Sequence, residues 1–182
     1  MRPLRVVVTG SECTGKTTLA RALAKRFDAP WVPEFCRGWQ DAKGSPLEAG
    51  DVEPIARGQV AEAEAAEAAA RDLVVLDTDL LSTVVYARHY YGSCPAWIER
   101  AARARLADLY LLCAPDLPWA ADGIRDRGEA REEMHRLFAS ALAGAEAVVH
   151  LVSGTGPDRT EAAAAAVAAA LARRSSGAGS AG

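Results

Sequence analysis

The sequence predicts an α/β fold of three layers, with a five-stranded parallel sheet flanked by helices on both faces. Two patterns predict it. Short continuous apolar runs, such as residues 73–76 and 109–113, recur along the chain and suit strands covered on both faces. Between them lie longer stretches with apolar residues three and four apart, the spacing of one helical face. Strands that alternate with helices in this way pair in parallel. With 182 residues, one domain is expected over residues 1–174.

The elements follow in order. Residues 4–9 form a β-branched run ended by Gly10, a buried strand. Leu19, Ala20, Leu23, Ala24 and Phe27 then mark a helix over 17–27. A short second strand is expected over 30–35, bracketed by Pro30 and Pro33, and residues 35–50 read as mixed, with a turn at Gly44, Ser45 and Pro46. Residues 52–71 form a long helix rich in Ala and Glu. The run 73–76, stopped by Asp77, reads as a central strand. Helices are expected over 80–91 and 95–106, a strand over 109–113, a helix over 129–142, a last strand over 147–152 and a last helix over 157–173. Residues 175–182 contain only Ser, Gly and Ala and are expected to be a disordered tail.

Composition narrows the partners. Half the residues are hydrophobic, which supports a full core, and the formal net charge of -3 argues against nucleic acid. The most apolar stretch, near 162–172, is alanine-dominated and too short to span a bilayer, and no leader is expected ahead of the first strand. None of the four cysteines forms a C-x-x-C pair, as in a reduced, cytoplasmic protein. A homo-oligomer stays open.

The chemistry is concentrated after the first strand. Gly10, Ser11, Glu12, Cys13, Thr14, Gly15, Lys16 and Thr17 fit the spacing G-x-x-x-x-G-K-[ST], and the match follows a strand and opens a helix. Glycines let backbone N–H groups turn in around phosphate oxygens, and the helix start adds a positive dipole end. Lys16 would reach the β- and γ-phosphates, and the Thr17 hydroxyl would bind Mg²⁺. ATP and Mg²⁺ are therefore the expected cofactors of a P-loop NTPase, with Thr18 counted among the nucleotide-binding residues. No N-K-x-D run marks a GTPase. The length suits a small-molecule kinase.

Three further segments join the loop in a resemblance to the NadR-type ribosylnicotinamide kinases, P-loop nucleoside-kinase-like domains of the AAA type. Pro33, Glu34, Phe35, Cys36 and Arg37 resemble their stretch after the second strand. Asp77, Thr78 and Asp79 resemble their D-T-D after the third. Residues 117–125, with Trp119, Asp122, Gly123 and Arg125, resemble their W-x-x-D-G-x-R stretch entering a lid. Order and spacing agree over residues 6–159. The resemblance implies phosphorylation of nicotinamide riboside to its mononucleotide, in NAD biosynthesis. Another nucleoside or small metabolite as acceptor, or a regulatory nucleotide-binding module, stays open.

Residue roles follow from position. Asp77, at a strand's carboxyl end, is expected at the Mg²⁺ site; a helix N-cap is its rival role, as it is for Asp79. Glu34 is the candidate general base, with Asp77 and Asp79 as rivals and an ion pair to Arg37 as its plain alternative. Arg125 and Arg131 are expected to close over the triphosphate, Arg127 being undecided against a charged surface turn. Arg37, Asp79 and Tyr90 are assigned to the substrate with Glu34. Trp31, Trp39, Tyr86, Tyr91 and Trp119 are further candidates for the pocket wall. His89 receives no catalytic role. Gly154, Thr155 and Gly156, with Arg159 nearby, are either beside the adenine or an ordinary strand-to-helix turn.

Overall fold

The computed structural model describes residues 2–117 and 130–178. Its five strands are β1 (Leu4–Thr9), β2 (Trp31–Val32), β3 (Leu73–Asp77), β4 (Leu109–Cys113) and β5 (Val149–Val152). All pair in parallel, in the order β2-β3-β1-β4-β5. The helices are α1 (Lys16–Arg26), α2 (Phe35–Lys43), α3 (Val52–Ala69), α4 (Leu80–Tyr91), α5 (Ala96–Ala104), α6 (Ala130–Gly144) and α7 (Gly156–Ala178). A single 3₁₀ turn, Ala49–Asp51, leads into α3.

The continuous apolar runs form strands because both faces of the sheet are covered. Val6 and Val8 of β1, Leu73 and Val75 of β3, and Leu109 and Leu111 of β4 pack with Leu19 and Leu23 of α1 and Val167 of α7. The alternate residues Val7, Val74, Leu76, Tyr110 and Leu112 pack on the other face with Leu81, Val85, Met134 and Phe138. Side chains of a strand alternate between faces, so one apolar run serves both layers. A smaller cluster with Val84, Ile98 and Ala102 seats α5 on the outside of α4.

Three elements differ from the sequence expectation. β2 is only two residues long, because α2 begins at Phe35 and Pro33 cannot donate to a ladder. Residues 35–43 are helical rather than mixed, closed by Gly44 at φ 65°. The last helix continues through Ala178, so residues 175–178 are helical and not a disordered tail. Ser175 and Ser176 return their hydroxyls to the carbonyls of Leu171 and Ala172, at 3.2 and 3.0 Å, as serines inside a helix do. Residues 179–182 lie outside the described residues. Among the described residues, no helix is long and apolar enough to cross a membrane.

At the carboxyl edge of the sheet, Val8 of β1 lies beside Asp77 of β3. Gly10 then turns the chain at φ 135°, hard against β4: a Cβ there would lie 2.9 Å from the carbonyl oxygen of Cys113. Gly10→Ala therefore combines backbone strain with a backbone clash. We expect it to lower the unfolding free energy by roughly 1–3 kcal/mol, read as a lower urea midpoint at unchanged m-value. An unchanged midpoint would mean that β4 yields.

Candidate active site

The loop between β1 and α1 is shaped by hydrogen bonds to its own carbonyls. Helix α1 starts at Gly15, whose φ of 74° is left-handed, and no side chain caps it. Its first N–H groups are thus not taken by a cap, as an anion site needs. Lys16 Nζ and Thr14 Oγ1 both donate to the Ser11 carbonyl, each at 2.8 Å. Two largely buried arginines hold the loop from other elements. Arg131, in the first turn of α6, donates Nη2 to the carbonyls of Leu117 at 3.0 Å and Cys13 at 3.4 Å. Arg159 of α7 donates Nη2 to the Thr14 carbonyl, and Nη1 to the Gly154 carbonyl and to Asp116 Oδ1, all at 2.9 Å. In a trans peptide the C=O and the following N–H point opposite ways. Holding the Thr14 carbonyl therefore aims the Gly15 N–H away from Arg159.

Beside the loop, Thr17 Oγ1 donates to Asp77 Oδ2 at 2.5 Å. Asp77 is 1% exposed, and its Oδ1 is buried without a hydrogen-bond partner. Burial holds the Asp77 carboxyl above its ordinary range, and the charge of Glu34 pushes the same way. The Thr17 hydroxyl, Lys16 and Arg37 pull it back. A part-buried hydroxyl-carboxylate pair with one idle oxygen fits a hard cation. Mg²⁺ takes one or two protein oxygens and fills its other positions with phosphates and water. Consistently, no cluster of three or more His, Cys, Asp or Glu among the described residues could hold a metal alone.

Glu34 occupies the N-cap position of α2 without capping it. Arg37 Nε lies 4.0 Å from its Oε2, the ion pair expected as its plain alternative. Glu34 also lines both main cavities. The larger, about 630 Å³, is bounded by Glu12, Glu34, Thr78, Ser82, Tyr86, His89, Tyr90, Tyr91 and Arg131 among others. Its charged lining is mostly acidic, with Glu48, Asp51 and Glu133 adding to Glu12 and Glu34. The rings of Tyr86 and Tyr90 lie parallel, 6.1 Å apart, and the Tyr90 hydroxyl is 3.5 Å from Glu12 Oε1. The smaller cavity, about 480 Å³, has Thr17 and Asp77 on its wall with Arg37, Trp31 and Trp39. Trp31 already carries the Arg21 guanidinium, 4.5 Å from its ring centre.

The fold thus brings Lys16, Thr17, Glu34, Arg37 and Asp77 together, with Arg131 on the loop and Tyr90 across the larger cavity. It does not bring Asp79. Asp79 Oδ1 caps α4 by accepting from the N–H groups of Leu81 and Ser82, and Oδ2 accepts from the Tyr110 hydroxyl at 2.7 Å. Both oxygens are used inside the fold, so its assignment to substrate hydroxyls is corrected to a structural one. Burial raises the pKa of both Asp79 and Tyr110. Arg159, for which the sequence left both a place near the adenine and an ordinary turn open, braces the loop. Arg131 stands in the first turn of α6, within the helix expected over 129–142. Trp119, Asp122, Gly123, Arg125 and Arg127 lie outside the described residues.

Comparison with known proteins agrees with this fold. The family model of an AAA domain, AAA_28, matches residues 5–159. The chain is 27% identical over 143 residues to the trifunctional NAD biosynthesis/regulator protein NadR of Escherichia coli (strain K12), covering 75% of this chain and 35% of that protein. A crystal structure of NadR protein in complex with NR superposes at a TM-score of 0.73 with 28% identity, over 93% of this chain and 52% of that one. NadR protein in complex with NAD and AMP-PNP gives 0.77 and 28%, over 93% and 50%. The chain therefore spans about a third to a half of the length of these relatives.

The Asp77 carboxyl binds its proton more tightly in the folded chain than in the unfolded one. Stability therefore falls as pH rises from the ordinary value of 3.8 through the raised folded value. Above that window the buried charge is a standing cost, which Asp77→Asn removes. In thermal melts without ligand at pH 7, Asp77→Asn should melt higher than wild type, by about 2–4 °C for each roughly 1 kcal/mol relieved. The stabilisation that Mg²⁺ with ATP adds should shrink in the same variant. A lower ligand-free Tm at pH 7 would show that the Thr17 hydrogen bond outweighs burial.

Proposed function

The chain belongs to the AAA domain family, AAA_28, and on that premise we propose that it is an ATP-dependent kinase acting on nicotinamide riboside. The reaction would phosphorylate the ribose 5′-hydroxyl, giving nicotinamide mononucleotide and ADP. The observation that carries this reading is the place of Glu34. It stands on the wall common to both cavities, with Thr17 and Asp77 on one side and the acidic, tyrosine-lined space on the other. A hydroxyl entering from the larger cavity meets a carboxylate on its way to the phosphate loop.

The chemistry needs few parts. The Glu34 carboxylate takes the proton of the acceptor hydroxyl, whose oxygen bonds to the γ-phosphorus as the bond to the β-phosphate oxygen breaks and ADP leaves. Lys16 pairs with the β- and γ-oxygens in place of the Ser11 carbonyl it now holds. Thr17 and Asp77 would hold Mg²⁺, which when bound neutralises phosphate charge. Arg131 lies close enough to the loop to balance charge on the transferred group, and Arg125 is proposed to act with it. Both matter most in the transition state.

The larger cavity supports the acceptor class. Nicotinamide riboside carries a permanent positive charge on its ring, which aromatic faces and carboxylates favour. The parallel pair of Tyr86 and Tyr90 offers the faces, and Glu12 and Glu34 offer the charge. The NadR relative in complex with NR fits the same acceptor.

Two measurements test the reading. Relative kcat/KM should favour nicotinamide riboside over uridine, cytidine and thymidine at equal ATP. The cation–π part of that preference is modest, about 0.5–2 kcal/mol. A preference for an uncharged nucleoside would move the acceptor and keep the kinase, whereas ADP release without any acceptor would leave an ATPase. Separately, Glu34→Gln should lower kcat by about 10²–10⁴-fold, the range for losing general-base help, with the KM for ATP little changed. A wild-type rate with Asp77→Asn inactive would transfer the proton to Asp77.

A further inference from the structure

We propose that Gln59 is a positioning residue for Glu34, and that Gly58 provides the slot in which the positioning works. The inference rests on the reading of Glu34 as the general base and deepens it. Glu34 sits on a two-residue link between Val32, the end of β2, and Phe35, the start of α2. Such a short link has little to fix it, since α2 buries none of its own residues. Two consecutive residues of α3 hold its far end. Gln59 Oε1 accepts the backbone N–H of Phe35 at 3.0 Å. Next to it, the Phe35 ring lies over the bare backbone of Gly58, where a Cβ would come within 2.1 Å of ring atom Cζ.

The clamp is rigid for stated reasons. Gln59 is 4% exposed, so its side chain is enclosed on α3. The amide can face only one way, because a backbone N–H needs an oxygen and not an NH₂ opposite it. That N–H is a first-turn donor of α2, with no carbonyl of its own helix to meet. Gln59 supplies the acceptor from another element. Gln59 itself lines the larger cavity beside Glu34. The Phe35 ring in the Gly58 slot stops rotation of the peptide about that one hydrogen bond. Two attachments to one helix thus fix the direction in which Glu34 leaves the backbone, and small misplacement of a reacting group is costly.

The test uses the whole chain and three substitutions, singly and in one pair. Gln59→Met keeps the length and apolar body of the side chain and removes the acceptor. It should lower kcat by roughly 10–100-fold, the scale of a misplacement near 1 Å, with the KM for ATP unchanged. Gln59→Glu keeps an oxygen opposite the Phe35 N–H and should recover most of that loss. In a Glu34→Gln background, Gln59→Met should cost nothing further, because the group it positions is gone. Amide exchange at Phe35 should quicken in Gln59→Met and stay near wild type in Gln59→Glu. Wild-type kcat in Gln59→Met, a full loss repeated in the Glu34→Gln background, or unchanged Phe35 exchange would each overturn the proposal. A normal rate in Glu34→Gln alone would instead sink the base assignment, and Phe35 exchange still decides whether Gln59 holds the link.

Discussion

The open amino end of α1 is the constraint on which the rest of this structure depends. A helix start with no side-chain cap leaves backbone donors that need an acceptor, and no residue of the helix provides one. The surrounding structure tolerates this by fixing the loop from its carbonyl side. Lys16, Arg131 and Arg159 each take carbonyl oxygens of residues 11–14, and Gly10 presses the turn against the backbone of β4. Three cations so close together would repel in an empty loop. The carbonyl dipoles and Asp116 offset part of that charge, and a bound polyphosphate would offset the remainder. The loop is therefore built as one half of an ion pair.

Two aspartates two residues apart show how finely position sorts chemistry. Asp77 ends β3 and Asp79 begins α4, with Thr78 between them at a left-handed φ of 67°. That twist sends one carboxylate toward the loop and the other down into the core. Asp79 meets two helix N–H groups and a phenol, enough donors to satisfy it. Asp77 meets one hydroxyl and keeps an unpartnered oxygen. A buried carboxylate short of donors is a poor contributor to stability and a good one to cation binding.

The parts legible in the sequence are those whose physics is local. The phosphate loop needs its residue types within eight contiguous positions, so Gly10, Gly15, Lys16 and Thr17 announce it. β1, β3 and β4 are buried on both faces, and an unbroken apolar run has few other uses. Helix α2 was equally local, with Phe35, Trp39 and Ala42 on one stripe, but Pro33 and Gly38 obscured it. Asp79 could not be told from Asp77, because its deciding partner Tyr110 is 31 positions away. Gln59 reaches Phe35 across 24 positions, and no pattern near either residue signals the contact. The aromatic candidates were grouped by sequence proximity, whereas the fold divides them, with Tyr86 and Tyr90 on one side of Glu34 and Trp31 and Trp39 on the other.

The brace formed by Arg159 also bears on the order of events during synthesis. It ties Thr14 to a residue 145 positions later, on a helix that follows every strand of the sheet. The phosphate motif precedes four of the five strands, yet the Thr14 carbonyl lacks this guanidinium until α7 has emerged and docked. Closing so long a loop is slow compared with forming helices or adjacent strand pairs. Until then the loop keeps its own bonds from Thr14 and Lys16 and lacks the brace from α7. Docking of the last helix thus completes the support of a loop that lies 145 positions before it.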